Sequence, residues 1–169
     1  MPVTPVWGAE TGFRLTPAEL EAAITPRTKW VFLDMPGNPS GAVYSRDQLQ
    51  ELGAVLARHP QVLILSDEIY EHIVFDGSNF VSFGKACPGL RDRTLIVNGV
   101  AKAYAMTGWR VGYAAGPAPL LKAMNTVQSQ SVTPVAAPMQ AAALAALTGP
   151  QDCIATALLQ NSDRRGFTT

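Results

Sequence analysis

One lysine stands in a loop of small residues directly after an apolar stretch: Asn98-Gly99-Val100-Ala101-Lys102-Ala103-Tyr104-Ala105-Met106-Thr107-Gly108-Trp109-Arg110-Val111-Gly112-Tyr113. That setting suits Schiff-base chemistry, in which an amine loses its proton and attacks a carbonyl. Desolvation and neighbouring positive charge favour the loss, and Arg110 is close in sequence. Taken alone, Lys102 reads as a surface lysine. It is not alone, because Pro36-Gly37-Asn38-Pro39-Ser40-Gly41 and Ser66-Asp67-Glu68-Ile69-Tyr70-Glu71 add an amide, a carboxylate and a phenol.

These side chains need a scaffold, and the flanking sequence describes one. Thr16-Pro17-Ala18-Glu19 is a capping box with proline at the first helical position, opening a short helix through Ile24. Trp30-Val31-Phe32-Leu33 is a continuous apolar run, as in a buried strand, and it ends in the Pro36–Pro39 turn. Ser45-Arg46-Asp47-Gln48 is a second capping box, followed at helical spacing by Leu49, Leu52, Val55 and Leu56 to about His59. Val62–Leu65 and Thr94–Val97 are further strands, with Asp67 and Lys102 just past their ends.

Strand, helix and strand in succession imply a parallel α/β sheet, whose ligands bind outside the carboxyl ends of the strands. All three motifs fall there. The stretch from Ile73 to Arg93 reads as an irregular surface excursion. Arg110 to Ala115 follows the preceding strand too soon for a parallel crossover, so it is expected to run antiparallel. Leu120 to Gln130 reads as a helix with Leu121, Met124 and Val127 inward, and Pro138 to Leu147 as an alanine-rich helix ended by Gly149-Pro150.

The 169 residues are 47% hydrophobic and 15% charged, and 13 basic side chains balance 13 acidic ones. One globular domain without a broad nucleic-acid or membrane footprint is expected. Cys87 and Cys153 lack disulfide-framework or metal-ligand spacing and read as free, buried or half-buried thiols; no metal is expected. His59 and His72 read as structural or solvated and distant from the motifs. The segment Met1–Gly8 has no leader pattern, and the apolar run Ala136–Leu147 is shorter than the about 20 residues that span a bilayer. A cytoplasmic protein is expected.

In order and spacing the three motifs resemble those of the class I aminotransferases, the pyridoxal-phosphate enzymes of the aspartate aminotransferase family, from about position 11 to about position 160. The resemblance implies part of that family's large domain: a partial, mainly parallel sheet with one antiparallel strand and helices packed on it. It implies pyridoxal 5'-phosphate as cofactor and amino-group transfer between an amino acid and a 2-oxo acid. By the same resemblance Lys102 holds the cofactor and moves the substrate proton, and Asp67 pairs with the pyridine nitrogen. Tyr70 and Asn38 hydrogen-bond the phenolic oxygen, Asn38 also meets substrate, and Arg110 clamps the phosphate as a planar fork.

Each residue also has a plainer reading. Asp67 and Glu68 suit any strand end, Tyr70 and Trp109 suit a core with a satisfied polar tip, Asn38 suits a turn, and Arg110 suits a surface ion pair. Glu68 and Glu71 receive no role. Ala101 stands where many relatives of the family have serine.

Family members are about twice this length or more. Residues 1–169 are therefore expected to lack the family's N-terminal segment, with a phosphate-gripping turn and a stacking aromatic, and its C-terminal small domain with a carboxylate-binding arginine. The last four residues, Gly166-Phe167-Thr168-Thr169, break a helical pattern. The full-length parent is expected to be a homodimer. Alternatives are a carbon–sulfur lyase or cyclopropane-forming synthase of the same fold, the aminotransferase-like effector domain of a transcriptional regulator, and an inactive remnant.

Overall fold

A computed structural model describes residues 8–165, with side chains to residue 160. The leader reading of Met1–Trp7 and the tail Gly166–Thr169 lie outside the described residues. Four strands form one sheet: β1 (Trp30–Asp34), β2 (Leu63–Asp67), β3 (Thr94–Gly99) and β4 (Gly112–Ala115). Their order in space is their order in the chain, β1-β2-β3-β4. The first two pairings are parallel and β3 with β4 is antiparallel, as the short connection requires.

Among the described residues six α-helices accompany the sheet: α1 (Pro17–Ala23), α2 (Arg46–Ala57), α3 (Phe83–Ala86), α4 (Ala118–Ser131), α5 (Ala137–Thr148) and α6 (Asp152–Arg165). Both expected capping boxes form. Thr16 accepts from the Glu19 N–H while Glu19 accepts from Thr16, and Ser45 and Gln48 do the same for α2. α2 is the crossover between β1 and β2. Its Leu49, Leu52, Val55 and Leu56 are all buried, joining Leu33 and Ile64 of the strands and Leu20 of α1 in one core. Each such side chain contributes about 1.5–3 kcal/mol relative to exposure.

Three expectations change. The Ile73–Arg93 stretch is no mere surface excursion: α3 lies in it, Phe83 is fully buried in the core, and Ala86, Cys87 and Leu90 join it. In α4, Leu121 is half-buried, but Met124 is 39% and Val127 66% exposed, so the expected inward face has no covering surface among the described residues. Cys87 is buried as expected, whereas Cys153 is exposed. No single described helix is long and apolar enough to cross a membrane.

Candidate functional site

The parallel strands β1, β2 and β3 release their chains on the same side of the sheet, and that shared edge is where the chemistry-bearing residues gather. β1 ends at Asp34 and β2 at Asp67, and the two residues are register partners. Asp67 thus closes β2 rather than standing beyond it. Its Oδ1 accepts from the Ile69 N–H at 3.1 Å, which fixes the turn leading to Tyr70. Asp34 Oδ2 accepts from the Asn38 N–H at 2.9 Å and so shapes the Pro36–Gly41 loop, which contains cis Met35–Pro36 and Asn38–Pro39 bonds. Lost hydration pushes the Asp34 carboxyl up, the Asn38 bond opposes that, and Asp67 adds to the upward push.

Two contacts then join the three motifs. Asn38 Nδ2 donates to the Tyr70 hydroxyl at 3.4 Å, and the Lys102 ammonium stands 5.5 Å from the Tyr70 ring centre. Asn38, Tyr70 and Lys102 therefore form a continuous set, with Tyr70 in the middle. Asn38 and Tyr70 also line a cavity of about 470 Å³ between the Pro36–Gly41 loop and the Ile73–Ser78 segment. A larger cleft, about 750 Å³, lies between β4, α4 and α5, against Val111, Leu144 and Leu147; it holds none of the five predicted residues.

Arg110 stands apart. It is exposed, with left-handed backbone at φ 56°, and its Nη1 donates to the Thr107 carbonyl of its own loop at 3.1 Å. Lys102 is exposed too, so the described residues provide neither the expected desolvation nor a contact with Arg110. Trp109 is 43% exposed rather than a core aromatic.

Several polar groups that received no role tie together the segments that carry the site residues. Glu68 is 3% exposed, and its Oε1 accepts from Ser66 Oγ, Ser82 Oγ and the Phe83 N–H at 3.0–3.1 Å. Burial pushes its carboxyl up despite those three bonds. Glu71 accepts from Asn98 Nδ2 at 2.7 Å, and His72 stands edge-on to Tyr104 with ring centres 6.4 Å apart. His72 is therefore part of the lysine loop's surroundings, not distant from the motifs. His59 pairs with Glu21 at 2.9 Å, remote from this edge. The hint in the sequence was the position of Glu68, Glu71 and Asn98 inside the motifs themselves. Among the described residues no group of three or more His, Cys, Asp or Glu side chains gathers to hold a metal.

The donor set fits a phosphorylated pyridine aldehyde: a primary amine in reach of solvent, a carboxylate at the neighbouring strand end, and a phenol with an amide beside it. A planar guanidinium follows in the same loop as the amine.

Comparisons with known proteins agree with this chemistry. The family model for aminotransferase class I and II matches residues 3–165. The aspartate/prephenate aminotransferase of Cereibacter sphaeroides is 58% identical over 155 residues, covering 92% of this chain and 39% of that protein. The crystal structure of the aspartate aminotransferase from Rhizobium meliloti superposes with a TM-score of 0.92 at 54% identity, covering 95% of this chain and 40% of that one. An aromatic aminotransferase from Pyrococcus horikoshii gives a TM-score of 0.87 at 33% identity, over 97% and 44% of the two chains. The chain spans about two fifths of the length of the curated relatives it matches. With one family's model running through the strand ends, the Asn38 and Tyr70 turns and the Lys102 loop alike, the chain belongs to the class I and II aminotransferases.

Proposed function

We propose that this chain supplies the cofactor-holding centre of a pyridoxal-phosphate-dependent aminotransferase of the aspartate aminotransferase type, moving an amino group between an amino acid and a 2-oxo acid. The observation that carries the reading is the meeting of Asn38, Tyr70 and Lys102 from three separate segments at one edge of the parallel strands. Residues 1–169 are then part of the large, cofactor-binding domain. The working unit is a cytoplasmic homodimer. Exposed Phe32, Val127 and Leu144 leave apolar surface for the rest of a parent protein or a second copy, and two free cysteines suit a reducing compartment.

When bound, pyridoxal 5'-phosphate supplies a carbonyl that captures amines and a protonated ring that draws electrons from the bond being broken. This chain's residues do the rest. The Lys102 amine would hold the group through its carbonyl and, when free, would serve as the base that takes the proton from the substrate α-carbon. The Asp67 carboxylate would keep the proton on the ring nitrogen. The Tyr70 hydroxyl and the Asn38 amide would hydrogen-bond the phenolic oxygen, and Asn38 would reach the substrate as well. Arg110, whose fork now donates to the Thr107 carbonyl, would hold the phosphate, a charged acceptor in place of a neutral one.

The test is incubation with pyridoxal phosphate, borohydride reduction and mapping of the modified lysine by mass spectrometry. An adduct confined to Lys102 and lost in Lys102→Ala is expected. Equal labelling of Lys29, Lys85, Lys102 and Lys122 would overturn the reading.

A further inference from the structure

Asn98 is the penultimate residue of β3, four positions before Lys102, and Glu71 directly follows Tyr70. Their side chains are half-buried and meet: Asn98 Nδ2 donates to Glu71 Oε1 at 2.7 Å, while Asn98 Oδ1 accepts from the Gly99 N–H at 2.7 Å. One amide is thus engaged by the turn that carries Tyr70 on one side and by the strand end that leads to Lys102 on the other. A charge-assisted bond of this length holds its partners more firmly than the 3.4 Å bond between Asn38 and Tyr70. A second contact crosses between the same two segments, the edge-on packing of His72 against Tyr104, whose hydroxyl donates to Gln151 at 2.8 Å. Lys102 itself is exposed, and its ammonium stands 5.5 Å from the Tyr70 ring centre. What aims the lysine must therefore act on its loop.

We propose that Glu71 and Asn98 are positioning residues for Lys102, a carboxylate–amide tie that fixes the lysine loop to the Tyr70 turn and holds the amine over the Tyr70 ring. The proposal deepens the function given above, in which Lys102 is the cofactor lysine, yet the geometry it claims can be read without cofactor. Glu71 Oε1 also lies 3.5 Å from His72 Nε2, so the carboxylate has a second suitor on its own segment, and Asn98 wins it by distance.

The test uses the whole chain, reductively dimethylated with carbon-13 formaldehyde, so that each lysine gives one NMR signal. The Tyr70 ring current should displace the Lys102 signal upfield from those of Lys29, Lys85 and Lys122, and Tyr70→Leu should abolish that displacement. Asn98→Asp, which sets two carboxylates face to face at unchanged size, should abolish it too. The double variant Asn98→Asp with Glu71→Gln should restore it, because the glutamine amide now donates and the aspartate accepts. That rescue separates aiming from general loss of fold, which the unaltered signals of the other three lysines also monitor. A displaced Lys102 signal that survives Asn98→Asp, or a double variant that fails to restore a lost one, overturns the proposal. Borohydride trapping of pyridoxal phosphate on undimethylated samples of the same proteins keeps the two readings apart. A displaced and rescuable signal with no trapping at Lys102 leaves the tie standing and removes the cofactor role.

Discussion

The Tyr70 ring has two neighbours of different chemistry: the Lys102 ammonium 5.5 Å from its centre and the Asn38 amide 3.4 Å from its hydroxyl. The two contacts are separable by substitution. Tyr70→Phe removes the hydroxyl and keeps the ring, whereas Tyr70→Leu removes both. An exposed cation–π contact contributes about 0.5–1 kcal/mol. Chemical denaturation should therefore rank wild type, Tyr70→Phe and Tyr70→Leu in falling order of stability, with the leucine variant lower than phenylalanine by roughly that amount beyond its lost area. Equal stability of the two variants would mean that the ring does not hold the lysine.

Glu68 gives a pH signature. Its folded carboxyl titrates above its ordinary value, chiefly through burial, so the folded state holds the proton more tightly than the unfolded one. The resulting stability is complete below the unfolded value and is lost as pH rises through the folded one. Unfolding measured from pH 4 upward should show that decline in the wild type and a flatter profile in Glu68→Gln. A wild-type profile no steeper than the variant's would refute the assignment.

Arg93 ties the end of α2 to the start of β2. Nη1 donates to the carbonyls of His59 and Val62 at 3.1 and 2.7 Å, and Nη2 to that of Leu56 at 2.5 Å. Arg93→Ala leaves three acceptors without this cation at a helix C-terminus, where positive charge is favourable. A loss of about 2–3 kcal/mol is expected in denaturant titrations, with Arg93→Lys recovering only part of it because it has no fork.

Gly99 is needed for proximity. A Cβ built there would lie 2.8 Å from the Val111 carbonyl oxygen and 3.2 Å from the Gly112 Cα, both backbone atoms of the antiparallel neighbour. Alanine ordinarily suits a strand better than glycine. Here Gly99→Ala should instead destabilise the chain by about 1–3 kcal/mol, since β4 must move. Borohydride trapping at Lys102 should fall with it, and a variant that is as stable as wild type and labels fully would contradict the clash.

Much of the scaffold was legible because it depends on short-range rules. The capping boxes at Thr16 and Ser45 are local exchanges of hydrogen bonds, the apolar runs before Asp34 and Asp67 are strands, although the first buries only Leu33 and leaves Phe32 70% exposed, and the direction of β4 follows from loop length alone. α3 escaped because four residues are too few to show a helical period. The face of α4 was misjudged because periodicity marks which side is apolar, not whether anything in the described fold covers Met124 and Val127. Of the site, Asn38, Tyr70 and Lys102 were legible as a set, and the structure brings them together. Arg110 was named with them, yet its guanidinium turns to its own loop. The Glu71–Asn98 bond joins polar residues 27 positions apart and leaves no pattern in the chain.

Because the spatial order of β1–β4 repeats their chain order, each strand after the first among the described residues pairs with the one completed just before it. β2 finds β1 already made, β3 finds β2, and β4 folds back on β3 at once. This sheet can be laid down in the direction of synthesis, each strand docking as it leaves the ribosome, without waiting for a distant partner. The lysine loop lies between the last two strands. It is synthesised after the Asn38 and Tyr70 turns that it meets.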